Sequence, residues 1–364
     1  MSIATDLLLD VASEKNGFKI GEPWRFSEFS LAAIVPIIRI VDIERQYQLL
    51  SEAGKTVKMR DTGDINRVEM VNSGGMPVLM KAGEMVTGST QTRALVTSQV
   101  VMAGEKIVAE CVCVHSTHGI RAGQEVKSGG YTPSDVRRNI FAGYVDAGRS
   151  SQRRGMAGSI YSYSGGLQSQ VWGGVKGLSA RMALSGDSLH SAARSNPLVG
   201  ASLASGLPDG GAQADFLREL GRPWSTGSED LIGRVNEAQK KFGAVLEQVP
   251  KFDNQVGICF LAMSGFESLE SFEHPDSWEA LRNAILKSEA GKIADVSDQN
   301  GLFEFKSERA KAVIREALST SFDESLTVDK QDTATILLSS EKLTGEVVSL
   351  YDRPIHCSFF RKEA

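Results

Sequence analysis

The chain has 364 residues, 41% of them hydrophobic and 23% charged, and a formal net charge of −5. This composition is that of an ordinary globular protein, with enough chain for one large domain or two medium ones. The acidic balance argues against a nucleic-acid or membrane-surface binder, and no apolar run approaches the roughly 20 residues of a membrane-spanning helix.

The cysteines and the first residues predict the cellular compartment. Four cysteines in so long a chain do not form a disulfide framework. The opening residues, MSIATDLLLDVASEKNG, lack the basic region of a secretory signal. We therefore predict a cytoplasmic protein with no membrane partner.

The N-terminal third is predicted to be mainly antiparallel β structure behind a short arm. Residues 1–28 form the arm, either as a short amphipathic helix or as a docking segment, and residues 29–118 form the β-rich half. Within that half a helix is predicted over Asp42–Gly54, and a turn from Gly83 to Gly88. The predicted strands are Phe29–Val41, Thr56–Arg60, Ile65–Asn72, Met76–Lys81, Gln91–Met102 and Lys106–His115.

Residues 119–166 show no sustained period and are predicted to form a long Gly/Ser/Arg-rich loop. This stretch contains seven cationic side chains, Arg121 among them, and only three carboxylates. Such a loop can close over an anionic ligand or a subunit. It can equally be a solvated surface loop that balances acidic neighbours.

Residues 167–364 are predicted to form a second half of helices and strands. The predicted helices are Leu167–Arg194, Glu229–Val249, Pro275–Ala290 and Ser307–Ser319. The predicted strands are Gln255–Met263, Gly265–Phe272, Thr333–Leu338, Glu346–Leu350 and Ile355–Phe360. Together the elements indicate an α+β fold, with the mainly antiparallel β N-terminal half packed on the helix-and-strand C-terminal half.

An ordered set of short motifs resembles a known family. The motifs are Pro77-Val78-Leu79 leading into Gly83-Glu84, then Gly88, Gln91 and Arg93, followed by Cys113-Val114, Gln170-Val171-Trp172, Gln255-Val256-Gly257 and finally Gly345 with His356. In this order the chain resembles the ADP-ribosylglycohydrolase- and rhodanese-phosphatase-associated domain family. After Cys113-Val114 the family places Glu, whereas this chain has His115. The resemblance implies an ADP-ribose-related context rather than a reaction.

Glu84, Gln91 and Arg93 are the first candidate site. Gln91 and Arg93 share one face of a predicted strand, and the preceding turn can fold Glu84 back over it. A carboxylate, an amide and a guanidinium brought together can bind phosphate or ribose, with Glu84 as general base. Arg121 and Gln170 are further candidate ligand contacts. The alternative is an Arg93–Glu84 ion pair that ties turn to strand.

Two other constellations use the thiols and imidazoles. Cys111, Cys113, His115 and His118 are chemically suitable zinc ligands, but successive same-face residues of a strand lie roughly 6.6 Å apart, too far for one ion with bonds of about 2.0–2.3 Å. Core cysteines are the better interpretation. Cys113 with His115 or His356 as a nucleophile pair requires a neighbour that stabilises the thiolate.

These observations lead to one functional hypothesis and one alternative. The leading hypothesis is a module that binds or processes an ADP-ribose-like nucleotide sugar, an anionic small-molecule ligand, without a metal or cofactor. Whether it is an enzyme is left open. The alternative is a structural or self-assembling protein, a homo-oligomer without catalytic activity.

Overall fold

A computed structural model gives the structure of the chain over residues 3–26, 29–87, 92–114, 123, 125–153, 247–262, 265–289 and 306–362. The predicted helix Leu167–Arg194 and nearly all of the predicted helix Glu229–Val249 lie outside these ranges. None of the described helices is long and apolar enough to cross a membrane.

One large antiparallel sheet dominates the described residues and combines strands from both ends of the chain. Its spatial order is β1 (Phe18–Ile20), β3 (Phe29–Arg39), β13 (Gln255–Ala262), β14 (Gly265–Phe272), β18 (Arg353–Arg361), β17 (Leu343–Leu350), β16 (Thr333–Ser339) and β15 (Asp323–Lys330), with β2 (Trp24–Phe26) also paired to β3. Because β3 lies beside β13, the two predicted halves share this sheet.

The remaining N-terminal strands form a closed barrel and a small sheet. The barrel consists of β5 (Val57–Asp61), β6 (Arg67–Asn72), β8 (Glu84–Thr87), β9 (Thr92–Leu95), β11 (Lys106–Cys113) and β12 (Glu125–Tyr131). The small sheet consists of β4 (Gln48–Leu49), β7 (Val78–Met80) and β10 (Gln99–Val101). Alternating residues such as Val68 and Met70 point into a shared apolar core, as a barrel requires.

Helices cover both faces of the large sheet. Helices α1 (Ile3–Ser13) and α5 (Ser307–Leu318) bury their apolar stripes against one face. Helices α3 (Ser134–Arg153) and α4 (Pro275–Ser288) pack in the core on the opposite face, together with residues of the barrel. A single turn, α2 (Leu50–Ala53), precedes the barrel. This arrangement confirms the α+β prediction.

The prediction of a loop over residues 119–166 is wrong for two long elements. Strand β12 and the 20-residue helix α3 lie within it. The buried side chains of α3 include Val136, Ile140, Phe141 and Tyr144, spaced as one face of a helix. In the sequence this stripe is interrupted by Arg137 and Arg138, and charged residues of this kind are typical of a solvated segment.

Three local predictions in the β-rich half are also wrong. The predicted helix Asp42–Gly54 is helical only over Leu50–Ala53, after the short strand β4. The predicted turn Gly83–Gly88 contains strand β8, and the predicted strand Gln91–Met102 is two strands separated at residues 96–98.

In the second half of the chain, strand β15 was not predicted at all, because its charged ends resemble a loop.

Candidate functional site

A row of polar side chains crosses the large sheet on its barrel-facing side. Glu270, Ser358 and Glu346 lie directly opposite one another on β14, β18 and β17. Their alternate neighbours, such as Leu269 and Cys357, point to the other face and pack with α1 and α5. All three polar residues are nearly completely buried. The row therefore places carboxylates in the interior, where they require partners.

The first partner of these carboxylates is Lys81, which lies on the side of the large sheet that faces the barrel. It follows strand β7, its side chain is only 1% exposed, and its Nζ forms an ion pair with Glu270. The same Nζ lies 2.8 Å from Nε2 of His356, and that nitrogen lies 2.6 Å from Glu270 Oε1. A single ring nitrogen either donates to the carboxylate or accepts from the amine, so the trio has two proton arrangements.

Arg137 supplies the second partner from helix α3. Its Nη1 donates to Glu270 Oε2 at 2.7 Å, and its Nη2 donates to Ser288 Oγ at 3.0 Å and lies 3.9 Å from Glu289 Oε1. A side chain on Gly83, whose φ is +79°, would overlap Cγ and Cδ of Arg137. Glycine at this position therefore allows the turn before β8 to approach the guanidinium.

Glu346 and Glu84 extend the cluster at its two sides. Glu346 accepts hydrogen bonds from the backbone N–H of Ser98, at 3.0 Å, and from the Ser98 hydroxyl. Glu84 accepts from the Ser128 hydroxyl at 2.9 Å and from the backbone N–H of Lys81 at 3.4 Å. Both carboxyls lie within the charge field of Lys81.

Burial and charge push these titratable groups in different directions. Burial raises the pKa of Glu84 to about 7 and that of Glu346 to about 7. Burial alone would also raise the pKa of Glu270, but the charges of Lys81 and Arg137 outweigh it and hold that pKa well below its usual range.

The imidazole of His356 is neutral at physiological pH. Burial and the charge of Lys81 lower the pKa of His356 to about 4. Its 2.6 Å contact with Glu270 is therefore not an ion pair: Nε2 donates to the carboxylate in one tautomer and accepts from Lys81 in the other.

This arrangement can transfer protons near neutral pH. Glu84 and Glu346 change protonation state close to pH 7, while Glu270 in the same cluster stays ionised. Carboxyls whose environments separate their pKa values are typical of acid–base sites. Buried groups with strongly shifted pKa values also concentrate at functional sites.

The residues predicted from sequence are distributed differently. Glu84 lies in the cluster. Arg93 lies in the barrel and forms its ion pair with Asp61, Nη2 to Oδ2 at 3.0 Å, with a further hydrogen bond from Nη1 to the Arg67 carbonyl at 3.1 Å. The structure thus gives Arg93 a carboxylate other than Glu84. Gln91, Arg121 and Gln170 lie outside the described residues.

The cysteine and histidine constellations are only partly described. Cys111 and Cys113 are buried in β11, and burial raises the pKa of Cys111 to about 12. His115 and His118 lie outside the described residues, and no group with metal-ligand geometry occurs within them. His356, considered as a partner of Cys113, contacts Lys81 and Glu270.

Sequence reasoning gave no individual site role to Lys81, Arg137, Glu270 or Glu346. One signal was present: Glu270, Glu346 and His356 each lie next to an apolar residue, in strands whose residues are nearly all buried. Polar residues at core positions of a buried strand must find partners, so they mark a polar cluster in the interior. Which partners they find depends on tertiary packing.

Comparison with known proteins gives one match. A family model described as the ARG and Rhodanese-Phosphatase-superfamily-associated Protein domain matches residues 17–360, nearly the whole chain. No curated protein and no solved structure matches the chain.

Proposed function

The chain belongs to the ARG and Rhodanese-Phosphatase-superfamily-associated Protein domain family, and we propose that it binds and processes an ADP-ribose-like nucleotide sugar at the cluster around Lys81. The family description associates these proteins with ARG proteins, which agrees with the ADP-ribosylglycohydrolase context of the motif resemblance. That context supplies the ligand class in this proposal.

The observation that carries the proposal is the concentration of ionisable side chains in the interior. Lys81, Arg137, Glu270 and His356 come from four separate segments of the chain and are joined by direct contacts. Buried ion pairs contribute little net stability, because removing the charges from water offsets their attraction. Stability alone is therefore a weak reason for a sequence to place these groups together.

The cluster offers distinct roles for a nucleotide sugar. Lys81 and Arg137 provide positive charge for phosphate oxygens. Glu84 serves as the acid–base group, since its carboxyl exchanges a proton near pH 7. Gln91, Arg121 and Gln170 remain proposed ligand contacts. Arg93 can join them only if phosphate replaces Asp61 as its partner.

Calorimetric titration with ADP-ribose and NAD tests this proposal. We expect the wild-type protein to bind ADP-ribose and Lys81→Met to bind at least about tenfold more weakly, a loss of about 1.4 kcal/mol. Lys58→Met removes an exposed lysine on β5 and should bind as the wild type does. Circular dichroism of each variant checks the fold. No binding of either ligand by the wild type would refute the proposal.

A structural protein without chemistry is the second candidate, and the depth of burial favours it. Lys81 and Arg137 are each 1% exposed, and their contacts join segments 189 and 133 residues apart along the chain. In this case the cluster holds the barrel against the large sheet, and edge strand β15 offers a surface for self-assembly. Light scattering after size exclusion tests the assembly, since a monodisperse monomer would contradict it.

A further inference from the structure

The amine of Lys81 differs from the other cation of the cluster in one respect. Lys81 and Arg137 both bind Glu270, but a guanidinium keeps its charge in proteins whereas an amine can lose its proton. Burial lowers the pKa of Lys81; the Glu270 carboxylate opposes this shift, and the charge of Arg137 adds to it. In the tautomer that leaves Nε2 without a proton, the neutral imidazole of His356, 2.8 Å from Nζ, can accept the proton.

The amine is covered by an aromatic ring whose polar atom is not anchored. Lys81 Nζ lies 5.6 Å from the centre of the Tyr131 ring. The Tyr131 hydroxyl is buried and has no hydrogen-bond partner among the described residues. Tyr131 follows Gly129-Gly130 at an irregular point of β12, where Gly130 has φ +108°. The centre of the Phe272 ring also lies 5.7 Å from Nζ. Rotation of the Tyr131 ring would open one side of the amine without breaking a side-chain hydrogen bond in the described part of the chain.

Two more polar atoms of the same cluster are free to contact a ligand. Arg137 Nε and His356 Nδ1 are buried and unpartnered within the described residues. A buried polar atom without a partner is consistent with an ordered water, an ion or a functional contact at that point. Together with the Tyr131 hydroxyl they provide hydrogen-bonding groups for the oxygens of a polyhydroxyl compound.

We propose that Lys81 is a nucleophile that forms a Schiff base with the open-chain aldehyde of a reducing sugar. This inference rests on the proposed function for the identity of the ligand, since the terminal ribose of ADP-ribose has a free reducing end. The Schiff base narrows the substrate class to sugars that can open to an aldehyde. It excludes nucleotides such as NAD, in which the anomeric carbon of each ribose is bonded to a base. A desolvated lysine beside another cation is a suitable nucleophile for this chemistry.

The reaction balances without an oxidant or reductant. The Nζ lone pair forms a bond to the aldehyde carbon, and the carbonyl oxygen takes a proton from the Glu84 carboxyl. Before the attack the Lys81 ammonium gives one proton to His356, and after it Nζ gives a second proton back to the Glu84 carboxylate. The hydroxyl takes the proton held by His356 and leaves as water, while the nitrogen lone pair completes the C=N bond. Ammonium and aldehyde thus yield an iminium and one water.

Reductive trapping of the wild-type full-length protein tests this inference. The protein is incubated with ADP-ribose and sodium cyanoborohydride, which reduces an imine to a stable amine, and the adduct is located by peptide mass spectrometry. We expect one adduct per chain, on Lys81, formed at least about tenfold faster than on exposed Lys58. NAD and ADP should give none. Lys81→Arg keeps the charge and should lose the adduct.

The outcomes separate the two proposals. If calorimetry detects ADP-ribose binding while trapping leaves Lys81 unmodified, the Schiff base is refuted and the nucleotide-sugar proposal stands. If ribose 5-phosphate is trapped on Lys81 but neither ADP-ribose nor NAD binds, the nucleotide-sugar proposal is refuted and the nucleophile stands. Adducts spread over exposed lysines, with Lys81 unmodified, overturn the inference.

Discussion

Replacing Glu346 by glutamine should change how the free energy of unfolding depends on pH. Glu346 is 0% exposed on β17 and accepts two hydrogen bonds from Ser98. Burial raises its pKa from 4.5 to about 7. Glutamine has nearly the same shape but cannot ionise, so the substitution removes this titration and leaves the rest of the cluster in place.

The sign and size follow from proton linkage. The folded pKa of Glu346 lies above the unfolded value, so the stability it contributes is present below about pH 4.5 and is lost as pH rises through about 7. At 1.36 kcal/mol per pKa unit, the full loss is about 3 kcal/mol, of which about 2.5 kcal/mol falls between about pH 5 and about pH 8.

Urea unfolding of wild type and Glu346→Gln at about pH 5 and about pH 8 measures this effect. From the lower to the higher pH, the free energy of unfolding of the variant should rise by about 2.5 kcal/mol relative to that of the wild type. The lowered pKa of His356, about 4, makes both proteins less stable as the pH falls, so its contribution cancels in the difference between their free energies of unfolding. Glu341→Gln, at an exposed position, is the matched control. Equal pH dependence of wild type and Glu346→Gln would refute the argument.

Three further predictions concern packing, pairing and thiol reactivity. Gly83→Ala forces a Cβ onto Arg137 and should lower the free energy of urea unfolding by more than Gly104→Ala, a glycine with a similar φ and open space around it; equal losses would contradict this. Glu270→Gln leaves two buried cations without their carboxylate and should cost about 3–5 kcal/mol in the same assay, whereas a loss near zero would contradict the pairing. The four buried cysteines, Cys111 among them, should not react with a thiol reagent until the protein unfolds; fast labelling of the native protein would disprove their burial.

The C-terminal strands could be predicted from sequence because their pattern is local. Strands β13, β14, β16 and β18 and helices α4 and α5 contain regular apolar runs with clear ends, such as Pro275 at the start of α4. Periodicity of this kind shows which face of an element is buried, so the existence and the type of each element follow from the local sequence alone.

The order of strands in the large sheet could not be predicted in the same way. Strand β3 pairs with β13, more than 200 residues later in the chain, and the sequence of neither strand identifies the other as its partner. Pairing between distant strands depends on the register that satisfies all neighbours at once. The break between β9 and β10 is similar, because Ser98 there meets Glu346 only in the folded protein.

For the same reason, sequence reasoning named only two residues of the cluster, Glu84 as a candidate site residue and His356 as a candidate partner of Cys113. Glu84 was identified through a motif, whereas Lys81 appeared as the end of an ordinary strand and Arg137 as part of a loop. Their chemistry arises where β7, α3 and the large sheet converge on Glu270. Arg93 had the appropriate residue type, but the barrel places its guanidinium against Asp61.

Calorimetric titration of ADP-ribose into the wild-type protein and Lys81→Met tests the central claim most directly. The account predicts a saturable heat of binding for the wild type and an affinity at least about tenfold weaker for the variant, with Lys58→Met unchanged. Equal affinities for wild type and a folded Lys81→Met, or no binding by the wild type, would contradict the assignment of this cluster as the ligand site.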